Sequence, residues 1–203
     1  MIVAASAVGV LGALSVIVMV IVVGVTGWRC LVVSRTVRML RDGRGDAVTV
    51  RRVRVHHRMS SRGFLEVADP GEITWWPIYF DPSVLSLIPG ECARRGQWAG
   101  AASFSTERGV VAVPAGRARH TAPRGTIVDA PRLNDDDLRL RSARFGSLRR
   151  RVLLDFPRAV GAPIVAVLWV SVGGGGFDAF VAATVLAAAV AVWSSAIGGS
   201  DPS

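Results

Sequence analysis

The chain has 203 residues, of which 51% are hydrophobic, and it carries 24 arginines, no lysine and 15 acidic residues for a net charge of +9. Residues 2–27, 159–177 and 179–200 contain no ionisable side chain, whereas every arginine lies between positions 29 and 158. Uncharged ends of this length around a basic centre exclude a single soluble globule and indicate a membrane protein with a basic domain outside the bilayer.

Residues 1–28 predict a transmembrane anchor. The uncharged run 2–27 is long enough to cross a hydrocarbon core of roughly 30 Å as a helix, and Trp28 follows at the level expected for an interfacial aromatic side chain. A cleaved signal peptide would have basic residues before a shorter apolar run, so we expect the anchor to stay uncleaved. The arginines of the basic juxtamembrane linker, 29–46, then place the N-terminus outside and the central domain in the cytoplasm.

Residues 47–131 predict a cytoplasmic β-rich domain. The valines of its first strand, 47–57, change from one phase of alternation to the other, so we expect a bulge near Arg51–Arg52. Further strands are expected at 63–67, at 73–80 and, as a hairpin around Glu107–Gly109, at 103–116. Short strands with frequent turns predict a small β-barrel or sandwich.

The stretch ITWWPIYFDP (73–82) concentrates four aromatic residues in this domain. In a strand, Trp75 and Tyr79 share one face and Trp76 and Phe80 share the other, so both faces are apolar. One face can fill the core, and the other needs cover from a helix, the bilayer or a partner. We favour core and covered-face packing. The alternative makes these four residues candidate contacts for lipid, a partner protein or a small molecule.

Residues 132–156 predict a basic amphipathic helix. Asn134 is a suitable N-cap, acidic residues fill the first turn, and the apolar side chains at 138, 145, 152 and 156 share one stripe. Such a helix ahead of a membrane segment commonly lies in the interface and attracts anionic lipid, although packing on the β-domain is the alternative. The candidate lipid or partner contacts here are Arg149, Arg150, Arg151 and Arg158.

Residues 157–199 predict a transmembrane helical hairpin, followed by a short tail, 200–203. Gly173–Gly176 interrupt the apolar sequence, because each glycine costs about 1 kcal/mol in a helix interior relative to alanine. The first leg is short and contains Pro163, which we expect at a kink. Three passes give an inner-membrane protein whose C-terminus is cytoplasmic. A shallow re-entrant first leg would move the C-terminus to the other side.

Small residues recur on the first and last apolar segments and let helices approach closely. They predict either a docking surface for partner helices or internal packing of the chain's own helices. The residues are Ala5, Gly9, Gly12, Ala13, Ala182, Ala183, Ala187 and Ala191.

Residues that could carry chemistry form no reactive pattern. His56 and His57 are adjacent, so in a strand they point to opposite faces, and no Cys–His spacing resembles a zinc site. Cys30, at the membrane edge, and Cys92, deep in the domain, are expected to be free thiols. We therefore expect a protein without enzyme activity, cofactor or metal ion. The arginines are concentrated next to the membrane segments, where the positive-inside rule already explains them. We therefore also expect no nucleic-acid partner.

The sequences WWPIYFDP (75–82), GGGGFDAFVAATVLAAAVAVW (173–193) and GGSDPS (198–203) together resemble uncharacterised three-pass membrane proteins of actinobacteria. The layout is also similar to the LucB-type accessory subunit of Mce-type lipid transporters. That resemblance implies a role beside a lipid-import permease and carries over no catalytic residue.

We therefore expect a non-enzymatic accessory or scaffold protein. Its expected partners are membrane lipids with anionic headgroups and partner membrane proteins. The alternative is a small membrane-bound transporter or enzyme that handles lipid through the aromatic stretch 73–80.

Overall fold

A computed structural model of the chain describes residues 2–57, 60–69, 71–129, 137, 153 and 155–201. The chain divides into two compact units, a helical unit (1–28 and 155–196) and a β unit (29–154 and 197–203). The described residues contain three α-helices and one antiparallel sheet, so the predicted combination of α and β structure is confirmed.

Three helices account for the uncharged ends of the chain. They are α1 (Ile2–Arg41), α2 (Ala162–Gly173), which follows a 3-10 helix at Phe156–Gly161, and α3 (Gly176–Ile197). The segments Gly9–Arg41, Phe156–Gly173 and Gly176–Ile197 are each long and apolar enough to cross a membrane. The three predicted apolar passes are therefore confirmed as helices with the length and composition of membrane spans.

Helix α1 continues through residues 29–41 of the segment interpreted as a linker. A helix of 40 residues is about 60 Å long, which is twice the roughly 30 Å of a hydrocarbon core. Its C-terminal third, from Arg29 onward, belongs to the β unit.

The glycine run separates the two later helices as predicted. Gly174, Gly175 and Gly176 have φ angles of +72°, +105° and +68°, which L-residues with side chains rarely adopt. Pro163 lies in the first turn of α2, where a proline is well accommodated, directly after the 3-10 helix Phe156–Gly161. The predicted kink stays a prediction. The base of the pair is closed by the Ser195 hydroxyl, which donates a hydrogen bond to Asp155 Oδ1 at 2.5 Å.

The β unit is built on a seven-stranded antiparallel sheet. The order is β3-β2-β1-β4-β5-β6, and β7 pairs with β1 beyond the end of β4. The strands are β1 (Asp46–His57), β2 (Ser60–Asp69), β3 (Glu72–Ile78), β4 (Glu91–Trp98), β5 (Ala101–Thr106), β6 (Val111–Ala112) and β7 (Thr126–Asp129). The predicted hairpin around Glu107–Gly109 is confirmed by the pairing of β5 with β6.

The sheet is open, so the predicted barrel or sandwich is not confirmed. The chain after β6 meets β3 only through isolated bridges, Ile78 to Pro114 and Trp75 to Arg119. A proline lies in each segment, at 77 and at 114, and proline has no N–H to donate to a ladder. The two bridges are three positions apart on β3 and five positions apart on the later chain, so the segments do not keep one register (78 − 75 = 3 and 119 − 114 = 5).

The bulge predicted near Arg51–Arg52 does not form. Strand β1 pairs with β2 in unbroken register from Thr49–Ala68 to His57–Ser60. The two valine phases instead enter two different apolar clusters, because both faces of the sheet are covered. Val48 and Val50 join the main core with Leu65, Trp76, Phe104 and residues of the 3-10 helix Pro82–Ser86, whereas Val53 and Val55 pack with Phe64 and Trp75.

The end of α1 packs on β4 and β5. Val32 and Thr36 are buried, and the Thr36 and Ser103 hydroxyls share a hydrogen bond of 2.8 Å. A Cβ added at Gly96 would lie 2.7 Å from the Thr36 carbonyl oxygen, so the contact requires glycine there. Cys92 is exposed, which corrects the prediction that it lies deep in the domain, because β4 turns Ala93 inward instead.

The predicted amphipathic helix 132–156 lies almost wholly outside the described residues. Only Asp137, Leu153, Asp155 and Phe156 of that segment are described.

Candidate functional site

The aromatic stretch divides as its alternation predicts. Trp76 and Phe80 lie in the main core, with 3% and 9% of their surface exposed. The Trp76 ring meets Phe104 edge to face at 5.6 Å, and its indole N–H donates to Thr74 Oγ1 at 2.9 Å. Both the apolar and the polar parts of Trp76 are therefore used inside the domain, which leaves its ring unavailable to a ligand.

The other two aromatic candidates are half-buried. Trp75 packs against the cluster of Val53, Val55 and Phe64. The Tyr79 hydroxyl donates a hydrogen bond to the Ile197 carbonyl at 3.0 Å. Burial raises the pKa of the Tyr79 phenol above its ordinary value of 10.0, while the positive charge of Arg29 acts in the opposite direction. Tyr79 is thus a neutral hydrogen-bond donor across the physiological pH range.

Of the four candidate arginines, the structure describes Arg158 alone. Arg158 is half-buried in the 3-10 helix Phe156–Gly161 of the helical unit, while the aromatic stretch belongs to the β unit. Arg149, Arg150 and Arg151 lie outside the described residues. A basic surface is nevertheless present on the β unit. Its exposed arginines are Arg35, Arg38, Arg41, Arg44, Arg51, Arg94, Arg108, Arg117, Arg119 and Arg124.

Two adjoining cavities, of about 360 and 320 Å³, share Cys92 and Glu107 in their walls. No histidine lines either one, so neither cavity contains the Cys–His pair that commonly activates a thiol nucleophile. Cys30 is also exposed, and both cysteines are free thiols, as predicted. Among the residues that the structure describes, no group of His, Cys, Asp and Glu could hold a metal ion.

The most constrained polar contact of the β unit involves residues that the sequence did not single out. Arg52 Nη2 and Asp201 Oδ2 lie 2.7 Å apart, and their side chains are 4% and 2% exposed. Arg52 follows Val48 and Val50 in the inward phase of β1, and its guanidinium carbon lies 5.9 Å from the centre of the Phe80 ring. A charged side chain thus ends the inward row of β1.

Asp201 belongs to a short stretch after α3, which we call the tail segment (Ile197–Asp201). Its backbone is paired with β2, since Asp201 N donates to the Ser61 carbonyl at 2.9 Å and Ser200 forms an isolated antiparallel bridge with Arg62. The one sequence signal was that Asp201 is a single acidic residue after 22 uncharged positions, 179–200. Nothing in the strand pattern of β1 indicated that Arg52 would be its partner.

No protein-family model, no curated protein and no solved structure matches this chain. The resemblance to actinobacterial three-pass proteins and to LucB-type subunits therefore stays a prediction.

Proposed function

We propose that the chain is a non-enzymatic accessory or scaffold protein of the inner membrane that binds partner membrane proteins and anionic lipid headgroups. As the resemblance implies, the partner complex is a lipid transport system of the cell envelope. The N-terminus lies outside, and the β unit and the tail segment lie in the cytoplasm.

The observation that carries this proposal is the uncovered surface of α1. The most apolar part of this helix has no buried residue, and a Cβ added at Gly9 or Gly12 would meet no atom within 4 Å. The small residues of the other two helices differ, because Ala166 of α2 and Ala183 of α3 are buried within the helical unit. Internal packing thus uses the small residues of α2 and α3 and leaves those of α1 to a partner helix.

One contact and the division of the chain into units support a full hairpin that returns to its starting side. The Asp155–Ser195 hydrogen bond joins the beginning of the first leg to the end of the second. Residues 197–201, which follow α3, belong to the β unit, as does the stretch that begins at Arg29. A re-entrant first leg would deliver the tail segment to the opposite side from the β unit. The arginines after Trp28 favour the cytoplasm as the shared side.

The basic surface of the β unit supports the second part of the proposal. Several of its arginines pair with carboxylates, as Arg51 does with Glu66 at 3.6 Å and with Asp129 at 3.4 Å. Exposed pairs of this kind contribute little to stability, so the arginines remain able to exchange a carboxylate for a lipid headgroup. Each basic side chain near an anionic membrane surface adds about 1 kcal/mol of attraction.

The test is affinity purification of the chromosomally tagged protein in mild detergent, with mass spectrometry of what accompanies it. We expect a stoichiometric membrane complex. The double variant Gly9→Leu/Gly12→Leu should lose the partner, because two leucines prevent close approach of a helix. The control variant Val20→Leu changes an exposed residue of the same helix and should keep it.

A wild-type protein that is purified alone would contradict the proposal. If it came alone with a bound lipid, the alternative of a lipid-handling protein would take its place. If the partner survived in Gly9→Leu/Gly12→Leu, the accessory role would stand but the docking surface would lie elsewhere.

A further inference from the structure

The tail segment is held to the β unit by contacts of three kinds. Its first carbonyl, on Ile197, accepts the hydrogen bond from Tyr79. Its backbone pairs with β2 at Ser61 and Arg62. Its last described side chain, Asp201, forms the buried ion pair with Arg52. These contacts reach β1, β2 and the end of β3, so the segment is seated at its beginning, along its backbone and at its end.

The buried ion pair makes the stability of the β unit depend on the presence of the tail segment. A guanidinium or carboxylate that is withdrawn from water is costly unless it has a close partner of opposite charge. Arg52 and Asp201 are both almost wholly buried, so removing either one breaks a buried ion pair and takes this partner from the other. A β unit without its tail segment would therefore expose the end of its core and leave Arg52 without this carboxylate.

Two glycines make room for the segment. Gly199 has a φ of +78°, and a Cβ there would lie 2.6 Å from Ala115 Cβ and 2.9 Å from the Ile78 carbonyl oxygen. On the receiving strand, a Cβ at Gly63 would lie 3.0 Å from Asp201 Oδ2. The site therefore requires glycine two positions before the carboxylate, and it is tightly packed at Gly63 opposite the carboxylate. A carboxylate site shaped in this way accepts a Gly-Ser-Asp sequence rather than any acidic peptide.

We propose that the β unit contains a receptor site for a Gly-Ser-Asp segment, that Arg52 is its carboxylate-binding residue, and that its ligand is the chain's own tail segment. When the tail segment binds in this site, it completes the β unit. This can happen only after α3 has inserted into the membrane. Binding is intramolecular, because the tail segment directly follows α3 in a chain whose β strands are already present, and this gives a high effective concentration. The site is independent of the proposed accessory function.

This arrangement makes completion of the β unit a check on membrane insertion. The seven strands are synthesised before α2 and α3, so the receptor site forms before its ligand exists. Only a chain in which α3 ends on the side of the β unit can deliver residues 197–201 to Arg52. A chain with misplaced helices would retain an incomplete β unit.

Thermal unfolding of the full chain in detergent tests the coupling between Arg52 and Asp201. We expect Arg52→Met and Asp201→Asn each to lower the Tm of the β unit by more than about 8 °C, because each breaks this buried ion pair. The double variant should lose no more than the worse single variant, since the second change removes a contact that the first has already broken. Arg124→Met and Glu107→Gln, which remove exposed charges of the same kinds, are the controls.

Glycine substitutions test the seating without changing any charge. Gly199 and Gly109 have nearly the same φ, +78° and +81°, but a Cβ at Gly109 would meet no atom within 4 Å. Gly199→Ala and Gly109→Ala therefore share the backbone strain, and only Gly199→Ala adds a clash. We expect a clearly larger loss of Tm for Gly199→Ala. Equal losses, or additive losses in the charge variants, would overturn the proposal.

Disulfide trapping identifies the ligand even where a variant folds poorly. Facing residues of an antiparallel bridge lie within the Cα separation that a disulfide accepts, so Arg62→Cys/Ser200→Cys should cross-link after mild oxidation. The background carries Cys30→Ser and Cys92→Ser, and each single cysteine variant is a control. We expect a link within one chain. A dimer specific to the pair would make a second copy the ligand, and no link at all would show that the site is empty; either result overturns the proposal.

Discussion

At the scale of single residues, the absorbance of Tyr79 reports whether the tail segment is bound to the β unit, because Tyr79 is the only tyrosine in the chain. Burial holds the pKa of its phenol above 10.0, and its hydroxyl donates to the Ile197 carbonyl. We expect the tyrosinate absorbance of the folded protein to appear only at a pH above 10.0 and that of the denatured protein to appear at about its ordinary pKa. An ultraviolet titration in detergent and in denaturant measures both.

The same pKa predicts how stability depends on alkaline pH. The folded state binds the phenolic proton more tightly than the unfolded state, so the contribution is fully present below pH 10.0. It is lost as the pH rises through the folded-state pKa, and the free energy of unfolding falls. Tyr79→Phe should remove this alkaline loss. A folded protein that titrates at 10.0 would show that the phenol is open to solvent and that the tail segment does not cover it.

Single residues also mark the limit of what the sequence predicts. Alternation in ITWWPIYF correctly separated the inward side chains of Trp76 and Phe80 from those of Trp75 and Tyr79, because a strand has a fixed period of two. The same rule led to the wrong prediction of a bulge at Arg51–Arg52, because we assumed that β1 has only one buried face. Arg52 occupies an inward position because it pairs there with Asp201. That partner lies 149 positions further along the chain. No local pattern contains that information.

At the scale of elements, the contact between α1 and β5 depends on one buried pair of hydroxyls. Thr36→Val would leave Ser103 Oγ without its hydrogen bond, at a cost of about 1–3 kcal/mol in the free energy of unfolding. Ser103→Ala should cost less, because the Thr36 hydroxyl keeps its bonds to the Val32 and Val33 carbonyls. Denaturant unfolding of the purified variants, followed by near-ultraviolet circular dichroism, gives both values.

The double variant Thr36→Val/Ser103→Ala is the internal control of this comparison. Replacing both partners by apolar groups leaves no stranded hydroxyl, so the double variant should be more stable than Thr36→Val alone. Equal stability of the two single variants would contradict the asymmetry. It would show that the main hydrogen bond of Thr36 is the one to Ser103 and not those within its own helix.

Strand β4 (Glu91–Trp98) was not predicted from the sequence. In its sequence, ECARRGQW, only Ala93, which faces the main core, and Gly96, which faces α1, are buried, and such small residues give no hydrophobic alternation to detect. The reason lies in the neighbouring element, because α1 comes within 2.7 Å of the position that a Gly96 side chain would take. Strands that receive a helix closely need small residues and lose the usual strand signature.

At the scale of the whole molecule, the proposed topology can be read with thiol reagents. Phe177 follows the glycine run at the start of α3 and is 77% exposed, so Phe177→Cys should react with a membrane-impermeant maleimide added to intact cells. Cys92, exposed on β4, should react only after the membrane is opened. The two sites lie on opposite sides in a three-pass chain with a cytoplasmic β unit.

Each thiol is measured alone, with the other cysteines replaced by serine. Labelling of both sites after permeabilisation is the control that each thiol is reactive. If Cys92 reacted in intact cells and Phe177→Cys did not, the orientation would be the reverse of the one proposed. If both reacted only in opened cells, the first leg of the hairpin would be re-entrant.

The distribution of charge predicted three helices with the length and composition of membrane spans, because arginine and aspartate are excluded from spans by a large free-energy cost. The glycine run predicted the division between the last two helices, because glycine destabilises a helix interior. The closing of the β unit by residues from the far end of the chain was beyond this reasoning. Such a contact depends on where α3 ends in three dimensions, and hydropathy gives only its length.

Strand β1 has one feature with a wider consequence. It is bonded along one edge to β2, and its other edge is divided between β4 and β7. Every strand except β3, β5 and β6 thus depends directly on β1, and those three are attached through β2 and β4. Detachment of β1 would separate β2 and β3 from β4, β5 and β6 at once, so loss of this one strand would unfold the whole β unit. We therefore expect it to open cooperatively, as one piece, with β1 as the last strand to admit solvent.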